Sequence, residues 1–255
     1  MNSVVVTSYQ PTYVALSFLV AFFGSFVALT AATRIKLPNG KASFSNTLSA
    51  GVALGGVGVW SMHFVGMVAL KLNVGVSYGL TEIVISLLAA IAATSLALAF
   101  VAQAPDHLAR IVGAGTVLGL GVVFMHYLGM YGLKFNGFIE WDWGRVALSV
   151  LIAIVAATAA LWLAFKTPTL PIRAAAAIIM AVAVCAMHYT GMGAAEFICT
   201  TTNLTAIPQG AGYISSFKLG GWVTIGALSM AFIIFLDQFF QESSGKPLLK
   251  AAVPK

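Results

Sequence analysis

Three of the four histidines sit in three copies of one short pattern: WSMHFVGM at 60–67, VFMHYLGM at 123–130 and CAMHYTGM at 185–192. Each copy has a methionine just before the histidine, a glycine three residues after it and a second methionine four after it. Positions i and i+4 share one face of a helix. His63 with Met67, His126 with Met130 and His188 with Met192 can therefore each offer an imidazole and a thioether to one ion. Met62, Met125 and Met187 supply further sulfur atoms beside them. Imidazole suits copper, iron, nickel and zinc, while thioether sulfur selects for Cu(I). A hard cation such as Mg²⁺ asks for carboxylate oxygens, which these stripes lack. Copper is thus the best-matched metal, with zinc or a haem held by His and Met as alternatives.

A packing role competes with this chemistry. A membrane histidine can simply link two helices, at about 0.6–2 kcal/mol, and methionine is an ordinary filler of apolar gaps. Against that, ionisable residues within a membrane are costly and mark functional sites, and here one pair recurs three times. Tyr127 and Tyr189 follow two of the histidines, and Phe64 follows the first. A side chain one residue on points about 100° away, so these phenols are not co-ligands on the same stripe. As outer-layer groups they can bond either an oxygen-bearing ligand or a neighbouring helix.

The elements that must position these residues are apolar runs. The 255-residue chain is 60% hydrophobic and 8% charged, against about a quarter charged in a soluble domain. About 20 apolar residues span a bilayer as a helix. Such runs occur at 12–33, 46–70, 80–101, 111–133, 146–165, 174–195 and 218–238. The first is not a cleavable leader: it is too long, no Lys or Arg precedes it, and Arg34 and Lys36 follow it. Loops one, three and five and the tail hold Arg34, Lys36, Lys41, Arg110, Lys166, Arg173, Lys246, Lys250 and Lys255. The other side holds Lys71, Lys134, Arg145 and Lys218. The positive-inside rule then places the N-terminus outside and the C-terminus in the cytoplasm. Trp141 and Trp143 fit an interfacial aromatic belt on the outer side. The net charge of +6 reports orientation, because no basic cluster suggests nucleic acid. Cys185 and Cys199 both fall near the outer side, where a disulfide between them is open.

Self-similarity runs through the whole chain. The histidines are 63 and 62 residues apart, and each interval contains two spans, so all copies enter the membrane in the same orientation. Four residues before each histidine stands Val59, Val122 or Val184, and seven before it Gly56, Gly119 or Ala181. These positions continue the histidine stripe, and small residues there direct it toward other helices. Each histidine also precedes a charged residue (Lys71, Lys134 or Glu196) by eight positions, about 12 Å along a helix. Three imidazoles at one depth on interior stripes are expected to converge. The expected fold is an all-α integral membrane protein of seven transmembrane helices: three parallel two-helix repeats closed by a seventh helix. It comprises an outer N-terminus at 1–11, a membrane domain at 12–240 and a cytoplasmic tail at 241–255.

MHYTGM at 187–192 resembles the signature of the MHYT domain, a bacterial integral membrane domain with seven spans and Met-His motifs near the outer face of three. The resemblance covers about residues 12–240, although the first two copies depart from its wording at Phe64, Val65 and Leu128. It implies a bacterial cytoplasmic-membrane protein with a copper site near the outer face, sensing a diatomic gas such as O₂, CO or NO. Carried onto this chain, the site residues are Met62, His63, Met67, Met125, His126, Met130, Met187, His188 and Met192. Members often carry a cytoplasmic output domain. Here about 15 residues follow the last span, so the expectation is a sensor, not an enzyme, that signals through a separate partner. Copper handling or transport is the second reading; it would need an inner exit site, for which Asp106 and His107 are the candidates. A membrane metalloenzyme is the third, with Glu82 and Glu196 as the nearest acid or base.

Overall fold

Apolar composition and helix-starting residues together set the spans. In the computed structural model, residues 3–37 and 40–243 are described; Lys246, Lys250, Lys255 and nearly all of the expected tail lie outside them. Among the described residues, seven helices are long and apolar enough to cross a membrane. Helix α1 (Pro11–Ala32) starts on a proline whose missing N–H costs nothing at that position. The second span runs from Phe44 to Ala69 in three pieces. These are α2 (Phe44–Gly51), a π-helical stretch (Val52–Ser61) and α3 (Met62–Ala69). Then follow α4 (Leu80–Ala102), α5 (Leu108–Tyr131), α6 (Trp143–Ala164), α7 (Leu170–Met192) and α8 (Ser216–Ser243). His107 and Asp142 cap α5 and α6 by accepting the backbone N–H of Arg110 and Arg145. Each expected span thus exists, with ends shifted by a few residues.

Every connection at the histidine end carries a short strand. Strands β1 (Ser3–Val4), β7 (Ala195–Cys199) and β6 (Gly137–Trp141) form one antiparallel sheet. Strands β2 (Thr7–Tyr9) and β3 (Leu70–Leu72) pair, and β5 (Leu133–Lys134), β4 (Ser77–Gly79) and β8 (Tyr213–Ser215) make a third sheet. These pairings tie the ends of the helices together beyond the apolar spans. Segments of two to five residues are too short for alternation to reveal, so none was foreseen. Cys199 lies in β7 and Cys185 in α7, and both are free thiols, so the disulfide does not form.

The six helices of the repeats form a ring, in which α1, α4 and α6 alternate with the histidine-bearing second span, α5 and α7. One polar device recurs at each repeat junction. Ser17, Ser86 and Ser149 are fully buried on α1, α4 and α6. Each donates to the carbonyl three residues earlier, at 2.7, 2.8 and 2.7 Å. Each then accepts from the preceding histidine helix. Tyr189 reaches Ser17 at 2.9 Å, and Tyr127 reaches Ser149 at 2.7 Å. Phe64 has no hydroxyl, and there Trp60 Nε1 reaches Ser86 at 3.1 Å instead. The tyrosines after the histidines therefore bond neighbouring helices. The small residues seven before each histidine also serve packing. A Cβ at Gly119 would crowd the backbone of Ile154 on α6, and Ala181 packs with Ala21 and Met62.

Removing one such bond should cost what an interhelical contact costs in a membrane. Tyr127→Phe is expected to lower unfolding stability in detergent by about 0.6–1.7 kcal/mol while leaving metal content unchanged. Phe64→Tyr should give no gain, since Trp60 already occupies Ser86. Denaturant titration with parallel metal analysis checks both.

Candidate metal centre

The three histidines converge. His63 Nδ1 lies 3.1 Å from His126 Nδ1 and 3.1 Å from His188 Nδ1, and the last two are 3.3 Å apart. The rings stand nearly perpendicular to one another, at 79°, 89° and 88°. All three side chains are buried. A ring nitrogen either carries a hydrogen or presents a lone pair. Three mutually adjacent nitrogens cannot alternate between these two roles, because three is odd. At least one contact must set donor against donor or lone pair against lone pair. A cation at the centre removes the conflict by taking all three lone pairs together.

The spacing also suits an ion. Imidazole–metal bonds of ~2.0 Å at tetrahedral angles put donor atoms about 3.3 Å apart, close to the edges of this triangle. No such fit exists for haem, since a macrocycle cannot enter between nitrogens 3.1 Å apart. Among the described residues, these three histidines form a group able to hold a metal, with no carboxylate or thiolate in it. The donor set is therefore uncharged.

What holds the rings in place is a cycle of glycines. A Cβ added at Gly129 would strike His63 Nε2, one at Gly191 would strike His126 Nε2, and one at Gly66 would strike His188 Nε2. Each imidazole thus lies on the glycine of the next repeat, and the three contacts close on themselves. The three Nε2 atoms are buried without a hydrogen-bond partner, unlike most metal-bound histidines, whose outer nitrogen donates to an acceptor. Each unmet group costs about 1–3 kcal/mol, which an ion bound on the inner edge can offset. The seat is the glycine three residues after each histidine. Its presence in all three copies was the available signal for this cradle.

The methionines divide by position. Met67, Met130 and Met192, on the histidine stripes, are buried with the main apolar core. Met62 packs instead with Ala21 and Ala181, and Met125 lies in the main core. Met187 lines an apolar cavity of about 40 Å³ together with Val59, Val122 and Val184, the residues four before the histidines. That cavity therefore lies about one turn from the histidines, on the side away from the sheets, and none of the three is in its lining. On the sheet side, an open pocket of about 650 Å³ has Met192 and Gly193 in its wall and Glu140, Asp142 and Glu196 among its lining. Glu196 stands directly opposite Glu140 in the β6–β7 register, and Glu82 pairs with Lys134 at 2.6 Å. Neither reaches the histidine group. At the other end, Asp106 pairs with Lys166, which holds its carboxyl below the usual range, and His107 caps α5.

The family profile described as "Bacterial signalling protein N terminal repeat", named MHYT, matches residues 56–114 and 119–177. The chain belongs to the MHYT family. Each matched stretch begins seven residues before a histidine, His63 or His126. The chain is 39% identical over 197 residues to the bifunctional diguanylate cyclase/cyclic di-GMP phosphodiesterase MucR of Pseudomonas aeruginosa, covering 75% of this chain and 29% of that protein. It is 34% identical over 203 residues to the cyclic di-GMP phosphodiesterase NbdA of the same organism, covering 73% of this chain and 24% of that one. The signaling protein YkoW of Bacillus subtilis is 28% identical over 197 residues, with 74% and 24% covered. The chain thus spans between a quarter and three-tenths of these relatives' length. No solved structure matches it. In MHYT terms, the Met-His pair supplies the ring and the following glycine supplies the seat of the neighbouring ring.

The cradle yields a paired test. Gly129→Ala puts a methyl group where His63 Nε2 lies, and is expected to cut metal content at least tenfold. Gly113→Ala on the same helix meets nothing within 4 Å and should leave metal content at the wild-type level. Metal analysis of both purified variants decides it.

Proposed function

We propose that this chain is a multi-pass membrane sensor whose His63, His126 and His188 hold one copper ion, chiefly as Cu(I), near the outer face. The observation that carries the reading is the mutual approach of three buried Nδ1 atoms, which neutral imidazoles alone cannot satisfy. Charge favours Cu(I) over Zn²⁺. The cost of burying an ion rises with the square of its charge, so a divalent ion costs about four times more, repaid only by nearby counter-charge. The ligand group contains none. Met67, Met130 and Met192 are assigned as the thioethers that complete the site, each buried four residues past its histidine. Met62, Met125 and Met187 lie beside that stripe and serve packing and the cavity wall. Bound Cu(I) would supply a soft metal centre able to take a small ligand; the protein residues supply the buried, uncharged surroundings.

The sensed ligand is a diatomic gas, O₂, CO or NO. The cavity of about 40 Å³ one turn from the ring supports this, being lined by aliphatic side chains, by Met180 and Met187, and by Thr94, whose hydroxyl is spent on Ala90 O. A cavity of this kind stays dry and takes small apolar guests. Orientation is N-terminus outside and C-terminus inside in a bacterial cytoplasmic membrane, on the Lys/Arg distribution, and the signal passes to a cytoplasmic partner. Transport is the weaker reading, because Asp106 and His107, the candidates for an inner exit site, are engaged in an ion pair and a helix cap. Catalysis is weaker still, since no acid or base joins the histidine group.

Wild-type protein purified without chelators and offered equal Cu(I) and Zn²⁺ is expected to bind about one copper ion per chain and little zinc. His63→Ala, His126→Ala and His188→Ala should each abolish copper while still inserting, because loss of a buried imidazole removes a polar cost. Met67→Leu should weaken Cu(I) and keep the volume. Equal zinc uptake would refute the charge argument; no metal uptake at all would refute the copper reading.

Filling the cavity separates ligand from metal. Val122→Phe is expected to keep copper and to lower affinity for carbon monoxide at least tenfold, measured by infrared spectroscopy of the bound gas. Unchanged gas binding in this variant would remove the cavity from the reading.

A further inference from the structure

The histidine ring has nearly threefold symmetry, but the protein around it does not, and three departures in helix geometry and packing fall on one repeat. Val52–Ser61 of the second span is π-helical, whereas the equivalent residues 115–124 and 177–186 lie inside the uninterrupted α-helices α5 and α7. π-Helical turns are rare and gather at functional sites. Here the stretch ends two residues before His63. The same repeat carries Phe64 in place of tyrosine, with Trp60 taking over the bond to α4. The second span is also enclosed as the others are not: 89% of its apolar window is buried, against 22–39% for the remaining repeat helices.

Helix α8 accounts for the difference, because it packs mainly on the second span. Its grip has two parts. Midway down the membrane, Met230 Sδ occupies the place a Cβ on Gly56 would need. Near the end remote from the histidines, Asp237 accepts Ser49 Oγ at 2.9 Å and Ser45 Oγ at 3.3 Å. Gln238 Nε2 there donates to Asn46 Oδ1 at 3.3 Å, and Arg34 Nη1 donates to the carbonyl of Gln238 at 3.0 Å. Ser45, Asn46 and Ser49 all belong to α2. The last helix therefore holds the His63 span at two points, within the π-helical stretch at Gly56 and beyond it on α2.

We propose that α8 is the output element of the histidine centre and that it reads the His63 span alone, through the Met230–Gly56 seat and the Asp237–Ser45/Ser49 clasp. This rests on the centre being the sensory site. The π-helical stretch is the part that yields. Its i→i+5 bonds can revert to the i→i+4 pattern that its neighbours already have, which turns α2 relative to His63. Because α3 is held by the ring, the motion emerges at α2 and is handed to α8 through the clasp. The regular α5 and α7 have no such stretch, so a change at His126 or His188 stops at the ring.

The test needs no metal. Hydrogen exchange followed by mass spectrometry is measured on the full chain in detergent, with chelator, for wild type and the three His→Ala variants. Residues 44–51 lie about 20 Å from His63 along the span, beyond direct contact. His63→Ala is expected to change exchange at 44–51 and at 233–241 at least threefold. His126→Ala and His188→Ala should leave those segments, and the remote ends of α5 and α7, at wild-type rates. Adding Met230→Ala or Asp237→Asn to His63→Ala should abolish the change in α8 while that at 44–51 persists. Equal changes at 233–241 in all three histidine variants, or a change in α8 that survives both second substitutions, would overturn the proposal. Copper binding is measured on parallel preparations of the same proteins made without chelator. Lost copper binding in wild type with an intact His63-specific response would refute the metal reading and leave the coupling standing.

Discussion

Burying three imidazoles against one another in a membrane is the constraint from which the rest of the protein follows. Each ring places one nitrogen 3.1–3.3 Å from two others and leaves its second nitrogen without a partner. In a low-dielectric interior both conditions are unfavourable. They are held only because the surroundings over-determine the rings: each rests on a glycine of the next repeat, and its helix is pinned to a neighbour through a buried serine. A loosely packed bundle would let the rings swing apart to find partners. This one does not.

Threefold repetition is the economical way to build such a ring, because one unit supplies both a donor and a seat. The histidine of each unit points toward the next unit's glycine, so the geometry closes after three copies without any residue serving itself. The cost of identical units is a centre with no preferred direction. The second span departs from the pattern through its π-helical stretch and its contact with α8. That departure gives the otherwise symmetric ring one distinguishable side. The family profile matches the first two histidine copies, and the third, at His188, completes the ring in space.

On the side away from the sheets, valines line the cavity one turn from the centre. On the sheet side lies the open pocket, whose wall includes Met192 and whose lining holds Glu140, Asp142 and Glu196 together with Arg145. This polarity follows from the repeats as well. The residue four before each histidine is always Val, and the residue four after is always Met. One stripe per helix therefore carries aliphatic wall, imidazole and sulfur in order toward the sheets.

Much of this was legible in the sequence, for reasons that are physical. The bilayer demands long apolar helices, so seven spans could be counted from composition. Helical periodicity aligned His, Met and Val on common stripes, and equal distance to the next charge put the three histidines at one depth. Other features needed the tertiary structure. The strands that tie the helix ends are too short to show a period. Phe64 read as a defect in its copy, until Trp60 was seen to make the missing bond from one turn earlier. The role of Gly66, Gly129 and Gly191 depends on which repeat lies beside which, and spacing along a chain does not specify a neighbour in space. The π-helical stretch is likewise invisible in a run such as VALGGVGVWS, because its glycines permit that pitch without requiring it. What decides it is the set of helices packed around it. Gly58 meets α1, Gly55 meets α4 and Gly56 meets α8, and only the assembled bundle brings all three against one turn.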